Sequence, residues 1–304
     1  MAFEVDPQDF QSTLPSLRVF PNFLSIYGTV KLFVNKTIDD CEVRLFGYPK
    51  EKPTLWIAYK NNKYGTSFVL AGTTSEDESM YRDAVYSILP YIKESLESKR
   101  SFEVVAVKTI MDHVRTFLQT FKHPMFSTLD EPNSKFYINE EKSRKLVKTK
   151  IELPEGFEFV SMDESHAQVL LDTMPYASPS DLEMVKSRLA NMPAAAVRHV
   201  ASGKIAAFEY NDGYGSISHL YTFPEFRRMG LGGAVELKLC QANYEQLGIL
   251  PHKAVSRNRP NVMGMSERSP WWEYQLDGRG EPELSYYVIF STEDTGKILI
   301  FDGQ

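Results

Sequence analysis

A chain of 304 residues is long enough for two ordinary domains, each with a core of its own. Its 42% hydrophobic and 24% charged residues mark a globular protein, and a formal net charge of −6 argues against a general nucleic-acid binder, which needs a basic face. No apolar run reaches the length that spans a bilayer, so no membrane partner is expected. The N-terminal stretch carries Glu4, Asp6 and Asp9 and no base, the wrong sign for a secretory or mitochondrial leader, and a cytoplasmic place is expected. Cys41 and Cys240 are too few for a zinc site or a disulfide framework, which fits a reducing compartment.

In chain order, residues 25–35, 54–59 and 65–70 read as strands. Ala84, Ile88, Tyr91, Ile92 and Leu96 recur at helical spacing within 79–98. Residues 102–107 read as a strand and 110–121 as a helix. This first half is an α/β module without a glycine-rich loop, since Gly65 and Gly72 lack phosphate-loop spacing, and no chemistry is assigned to it. A charged seam over 139–156, closed by Pro154-Glu155-Gly156, predicts a solvated linker or helix face. The expected division is a domain over 1–145, a linker over 146–156 and a domain over 157–304.

After the seam, 157–161 reads as a strand and 163–173 as a helix with carboxylates in its first turn. Ser180-Asp181-Leu182-Glu183 resembles a capping box opening a second helix that ends near Asn191. Three strands follow at 194–200, 204–210 and 216–223, separated by Ser202-Gly203 and Asp212-Gly213 turn signals. A helix over 234–247 is closed by Gly248, and a strand at 253–256, a helix at 261–268 and strands at 284–290 and 297–301 complete the chain.

The informative segment joins the third of those strands to the helix: Phe223-Pro224-Glu225-Phe226-Arg227-Arg228-Met229-Gly230-Leu231-Gly232-Gly233. Side-chain-poor backbone at a helix N-terminus leaves amide N–H groups pointing one way, with the helix dipole behind them, which suits a phosphate or pyrophosphate. The spacing lacks the third glycine of the dinucleotide fingerprint and the Gly-Lys-Ser/Thr ending of a nucleotide P-loop. An ATP- or NAD-binding protein is therefore a weak reading.

Arg227-x-x-Gly230-x-Gly232 resembles the pyrophosphate loop of the GNAT acyltransferases, and the order strand, two helices, three strands, helix, strand, helix, two strands is similar to theirs. Ser161-Met162-Asp163-Glu164-Ser165-His166-Ala167 is similar to the Ser-Met-Asp-x-x-His-Ala that opens the acyltransferase domain of the glycine N-acyltransferases. Phe223-Pro224-Glu225-Phe226-Arg227-x-x-Gly230-Leu231 resembles their Leu-Pro-Glu-Tyr-Arg-x-x-Gly-Leu, and Tyr27-Gly28-Thr29-Val30 matches part of their Val-Tyr-Gly-Thr-Val in the first half. The resemblance implies a GNAT fold in the second half, preceded by a smaller α/β domain that is open to being a degenerate copy. It implies transfer of an acyl group from acyl-coenzyme A to a small amine such as glycine, without a metal. The family's mammalian members are mitochondrial, an address this N-terminus does not carry.

The resemblance maps the pyrophosphate to the amides and side chains of Arg227, Arg228, Met229, Gly230, Leu231, Gly232 and Gly233, and the pantetheine arm to Leu220, Tyr221 and Thr222. Asn261, or Asn258, is the expected support for that arm, and a helix cap is the plainer role for either. The family's catalytic carboxylate lies eight residues before the Pro of this motif, which falls on Ser216, a residue that is no unassisted base near neutral pH. His219, with an ordinary pKa close to working pH, is the first alternative base, although strand alternation turns it away from the face of Ser216 unless a bulge intervenes. Glu209 on the preceding strand is next, with a solvent-facing position as its bland role. Glu225 and His166 match family motifs, with turn and capping roles expected of them. Tyr274, beside Trp271-Trp272, is the candidate acid for the leaving thiolate, or else a pocket wall. Arg257, Arg259 and Arg268 are candidates for an acceptor carboxylate or the coenzyme's ribose phosphate, or a plain basic patch. Two rival functions stand beside the acyltransferase: an acetyltransferase for a polyamine or peptide amine, and a coenzyme A-binding protein without turnover, which Ser216 favours.

Overall fold

The computed structural model describes residues 1–174 and 181–294. Strands β1 (Phe3–Val5), β2 (Cys41–Tyr48), β3 (Leu55–Asn62), β4 (Ser67–Thr73), β5 (Ser101–Val107) and β6 (Phe126–Tyr137) fall in the first half with helices α1 (Phe10–Thr13), α2 (Leu24–Val34), α3 (Ser79–Ile88), α4 (Lys93–Glu97) and α5 (Lys108–Leu118). Helix α6 (Glu140–Leu146) and strand β7 (Phe157–Val160) follow, then α7 (Ala167–Thr173), α8 (Leu182–Asn191), β8 (Ala194–His199), β9 (Ile205–Asn211) and β10 (Ile217–Thr222). Helix α9 (Leu231–Ala242), β11 (His252–Ser256), α10 (Pro260–Arg268), β12 (Glu273–Tyr274) and β13 (Leu284–Ser291) close the described chain. Ser180 and the strand expected over 297–301 lie outside the described residues.

The sheet of the first compact unit runs β1-β2-β3-β4-β5-β13-β6-β11, with β12 on β6. Strands β4 and β5 are parallel and share only the pairs Phe68↔Glu103, Val69↔Val104 and Leu70↔Val105, so their register ends before β4 does. Strand β13 sits inside this sheet. It is antiparallel to β5 from Ser285↔Val107 to Ser291↔Ser101, and to β6 from Leu284↔Ser134 to Ser291↔Phe126. One face of the sheet buries Val104, Val288 and Phe290 against α3 and α5 through Val85, Ile88, Ile110 and Val114. The other face takes α2. Gly72 makes that approach possible, because a Cβ there would come within 2.6 Å of the Asn22 carbonyl oxygen.

Three sequence expectations change in this unit. Residues 25–35 form a helix, not a strand: α2 is buried at Leu24, Ile26, Tyr27, Gly28, Thr29, Val30 and Leu32, almost all round. Such a run carries no period that separates helix from buried strand, and its buried threonine is absorbed by the helix, Thr29 Oγ1 donating to the Ser25 carbonyl at 2.8 Å. The helix expected over 79–98 is broken at Leu89–Tyr91, a 3₁₀ turn containing Pro90, which has no N–H to continue the ladder. Strand β6 went unread because Asp130, Glu131, Pro132 and Asn133 are poor strand formers; burial beside β13 overrides their preference.

The second compact unit comprises Asn35–Asp39 and Ile138–Lys253. Its sheet is the antiparallel order β10-β9-β8-β7. Phe208 and Tyr210 pack with Met162, Ala167, Leu170, Val185 and Leu189 on the α7–α8 face. The alternate residues of β9 face α9, as the paired amides Asn211 and Asn243 show at 2.7 Å in both directions. Gly248, at φ 59°, stops the helical segment as expected.

The division differs from the one the sequence suggests. Residues from Ala254 onward group with the first half, because β13 hydrogen-bonds there on both edges. The segment expected as a linker is anchored: Gln241 Nε2 donates to the carbonyls of Leu146 and Thr149, each at 2.8 Å. Its charged start is the helix α6, with Asn139 Oδ1 accepting from the Lys142 amide at 2.9 Å. A fragment of residues 1–145, lacking β13, is expected to give an unfolded amide spectrum while the full chain gives a dispersed one. A well-dispersed spectrum from the fragment would contradict this sheet order.

Candidate functional site

The glycine segment is built on the end of β10. Pro224–Phe226 form a single 3₁₀ turn, anchored by the buried Phe226 ring against Phe157 at 5.9 Å and His199 at 5.4 Å. The chain then passes Arg228 at φ 64° and Gly230 at φ 78° before entering α9. Gly230 is the N-cap of that helix and offers no side-chain acceptor, so the amides of Leu231, Gly232 and Gly233 are left with the unmet donors of a helix start. Gly232 lies close to β10, where a Cβ would come within 3.3 Å of the Thr222 hydroxyl. A Cβ on Gly233 would meet nothing within 4 Å. Arg227 is tied back, its Nε donating to the Thr222 carbonyl at 3.0 Å and its guanidinium lying 5.9 Å from the Tyr221 ring centre. Arg228 and Met229 are exposed. Unmet donors at a helix N-terminus beside a cationic side chain are an arrangement that suits a phosphate group.

Strand β10 carries the bulge that the sequence left open. Ser218 pairs with Tyr210 and Tyr221 with Phe208, so His219 and Leu220 together face one residue of β9. His219 adopts φ 55°, a conformation rare outside glycine. Its ring joins an aromatic row on the α7–α8 face, 5.8 Å from Phe208 and 6.3 Å from Tyr221, nearly parallel to the latter at 20°. Its Nε2 lies 2.9 Å from Thr173 Oγ1 at the end of α7. Thr173 had no sequence signal, because its partner is 46 residues away.

Glu209, the residue opposite the bulge, belongs to the other face. It is 2% exposed, which corrects the solvent-facing position that alternation suggested. Beneath α9 it lies near the buried ion pair of Lys253 with Glu236 and near the buried Cys240 thiol. Burial and the Glu236 charge push the Glu209 carboxyl well above the ordinary range, against the opposing pull of Lys253. The same burial and the two carboxylates push the Cys240 thiol up. Ser216 is buried at the turn before β10, and its Oγ donates to the Ile217 carbonyl at 3.3 Å.

Tyr274, Asn258, Asn261 and Arg257 belong to the first unit, His166 and Glu225 to the second. The Tyr274 hydroxyl donates to Glu267, and burial followed by that carboxylate pushes its pKa up to about 12. Its ring lies 4.3 Å from Phe136, and it lines a cavity of about 470 Å³ with Arg257, Met263 and Arg279. Asn258 Nδ2 donates to Glu131 at 3.4 Å, and Asn261 is exposed in the first turn of α10. Neither caps that helix, whose N-cap is Arg259. Arg257 donates from Nε to Ser134 Oγ at 3.0 Å and from Nη2 to the Pro282 carbonyl at 2.8 Å. His166 does cap: with Asp163 it forms the reciprocal box at the start of the α7 segment. Glu225 is exposed in the turn before the loop.

No protein-family model matches the sequence, and no curated protein does. Solved structures match over nearly the whole chain. A Drosophila protein from a structural genomics programme superposes with a TM-score of 0.74 at 12% identity, covering 95% of this chain and 98% of its own. A tandem GNAT protein from the clavulanic acid biosynthesis pathway matches with a TM-score of 0.52 at 9% identity, over 97% and 100% of the two chains. The fold is a tandem GNAT fold. A GCN5-related N-acetyltransferase from Sphaerobacter thermophilus agrees, with a TM-score of 0.52 at 11% identity over 100% of this chain and 98% of that one. Among the described residues, no helix is long and apolar enough to cross a membrane.

The buried Glu209 carboxyl makes a pH prediction. Its folded pKa is raised, so its contribution to stability is complete below the ordinary carboxylate range and declines as pH rises through the raised value. Urea midpoints of the wild type and Glu209→Gln at pH 5 and pH 8 are expected to show a smaller loss on the alkaline side for the variant. Equal losses in both would mean that Glu209 is ionised in the fold.

Proposed function

We propose that the protein transfers an acyl group from acyl-coenzyme A to the amino group of a small, glycine-like amine, in the manner of the glycine N-acyltransferase-like group. The observation that carries this reading is the loop at the start of α9, with left-handed backbone at Arg228 and Gly230 and a glycine N-cap that leaves the first helix amides without a side-chain acceptor. In this reading the amides of Leu231, Gly232 and Gly233 hold the coenzyme's pyrophosphate with Arg228 alongside. The backbone of Leu220, Tyr221 and Thr222 follows the pantetheine arm. The bulge presents His219, the base of this proposal. The amine nitrogen attacks the thioester carbonyl carbon, the carbon–sulfur bond breaks, and the amine's surplus proton passes to the His219 imidazole and from it to the departing thiolate. Glu209 faces the other side of the sheet and serves the packing of α9.

A second reading is a coenzyme A-binding protein without turnover. Ser216 favours it, since a buried hydroxyl engaged with its neighbour's carbonyl takes no proton from an amine.

Thermal unfolding with coenzyme A, acetyl-coenzyme A, benzoyl-coenzyme A, ATP and NAD, followed by free-thiol release with glycine and other amines, separates these readings. Coenzyme A species are expected to raise the melting temperature by mass action, with ATP and NAD leaving it unchanged. Gly230→Ala, which forces a Cβ into left-handed backbone, is expected to weaken that shift. His219→Gln is expected to keep the shift and lower the rate of thiol release by about 10²- to 10⁴-fold. A shift without thiol release supports the binding protein, and no shift with any coenzyme A species overturns both readings.

A further inference from the structure

We infer that Thr173 is a positioning residue that fixes the tautomer of His219 and makes Nδ1, not Nε2, its basic nitrogen. The inference rests on the proposed acyl transfer for its consequence, and on geometry for its substance.

Thr173 has one hydroxyl proton. Its Oγ1 stands 2.8 Å from the Leu170 carbonyl oxygen and 3.3 Å from that of Val169, the back-bonding that a threonine makes inside a helix. A carbonyl accepts only, so the hydroxyl proton is committed to the turn of α7. The same Oγ1 lies 2.9 Å from His219 Nε2. Two hydrogen-bonding atoms need a proton between them, and with the hydroxyl proton spent it comes from the ring. Nε2–H therefore donates to Thr173, and in the neutral imidazole Nδ1 keeps the lone pair. The ring has little freedom to escape this arrangement. Its backbone is held at φ 55° by the bulge, and its faces are bounded by Phe208 at 5.8 Å and Tyr221 at 6.3 Å.

The consequence is directional. Proton transfer needs the lone pair aimed at the amine, and a ring free to exchange tautomers presents the wrong nitrogen part of the time. The elements involved also belong to one compact unit, β10 and β9 on one side and α7 on the other.

The test uses the full chain labelled with nitrogen-15 at histidine, observed at alkaline pH where the ring is neutral, with His219→Gln to assign the signal. The wild type is expected to show a protonated Nε2 and an unprotonated Nδ1. Thr173→Val is expected to mix the two tautomers and to lower kcat for thiol release by about 5- to 10-fold, the worth of one ordinary hydrogen bond, with KM for acyl-coenzyme A unchanged. Thr173→Ser is expected to restore both readouts, and the coenzyme A-induced melting shift verifies that each variant is folded. A protonated Nδ1 in the wild type overturns the inference, as does a Thr173→Val protein with wild-type tautomer and kcat. The nitrogen-15 readout needs no turnover: a wild type with the expected tautomer and no thiol release sinks the acyl-transfer reading and leaves the tautomer assignment standing.

Discussion

An antiparallel ladder keeps one residue opposite one residue, and β10 breaks that rule once, at His219 and Leu220. The extra residue changes which face of the sheet the strand's side chains occupy beyond that point. Before the bulge, Ser216 is absorbed in the turn at the strand's start. At and after it, His219, Tyr221 and Phe223 pack against Phe208 on the α7–α8 face, Tyr221 stacked and Phe223 edge-on. The strand then delivers the chain to Phe226, whose ring locks the turn, and to the left-handed pair Arg228 and Gly230 that opens α9. The candidate base and the candidate phosphate socket are thus set by one strand and one irregularity in it.

The two units differ at the place where a strand leads into a helix. In the second, β10 leads into a helix through glycines and arginines. In the first, β4 leads into α3 through Thr74-Ser75-Glu76-Asp77-Glu78. There the helix start is met from within: Asp77 Oδ1 accepts from the Ser79 amide at 3.0 Å and from its hydroxyl at 2.6 Å. Three acids at that position repel a phosphate, whatever the helix dipole offers.

Much of the second half was legible because its signals are local. The turn at Ser202-Gly203, the cap of Asp163 and His166, the stop at Gly248 and the glycines before α9 each act within a few residues of themselves. Helix α2 was misread because burial on every side erases the period that tells helix from strand. Strand β6 was missed because its place beside β13 depends on residues more than 150 positions away. The site divided along the same line. Gly230 and Gly232 announced themselves, whereas the bulge at His219 comes from register with β9, and Thr173 acquires its role only through the folded contact. Glu209 was misplaced because simple alternation does not say which polar face of a strand a helix will cover.

The position of β13 also orders events on the ribosome. The second unit is complete once Lys253 has emerged, apart from its short early piece at Asn35–Asp39. The first unit, begun earlier, waits for residues 284–291 before β5 and β6 gain the neighbour between them. Until then the facing edges of β5 and β6 stand unpaired, the kind of surface that recruits chaperones or other nascent chains. The half that is made first is therefore the half that folds last, and slow translation or premature termination past Lys253 threatens it while sparing the glycine loop.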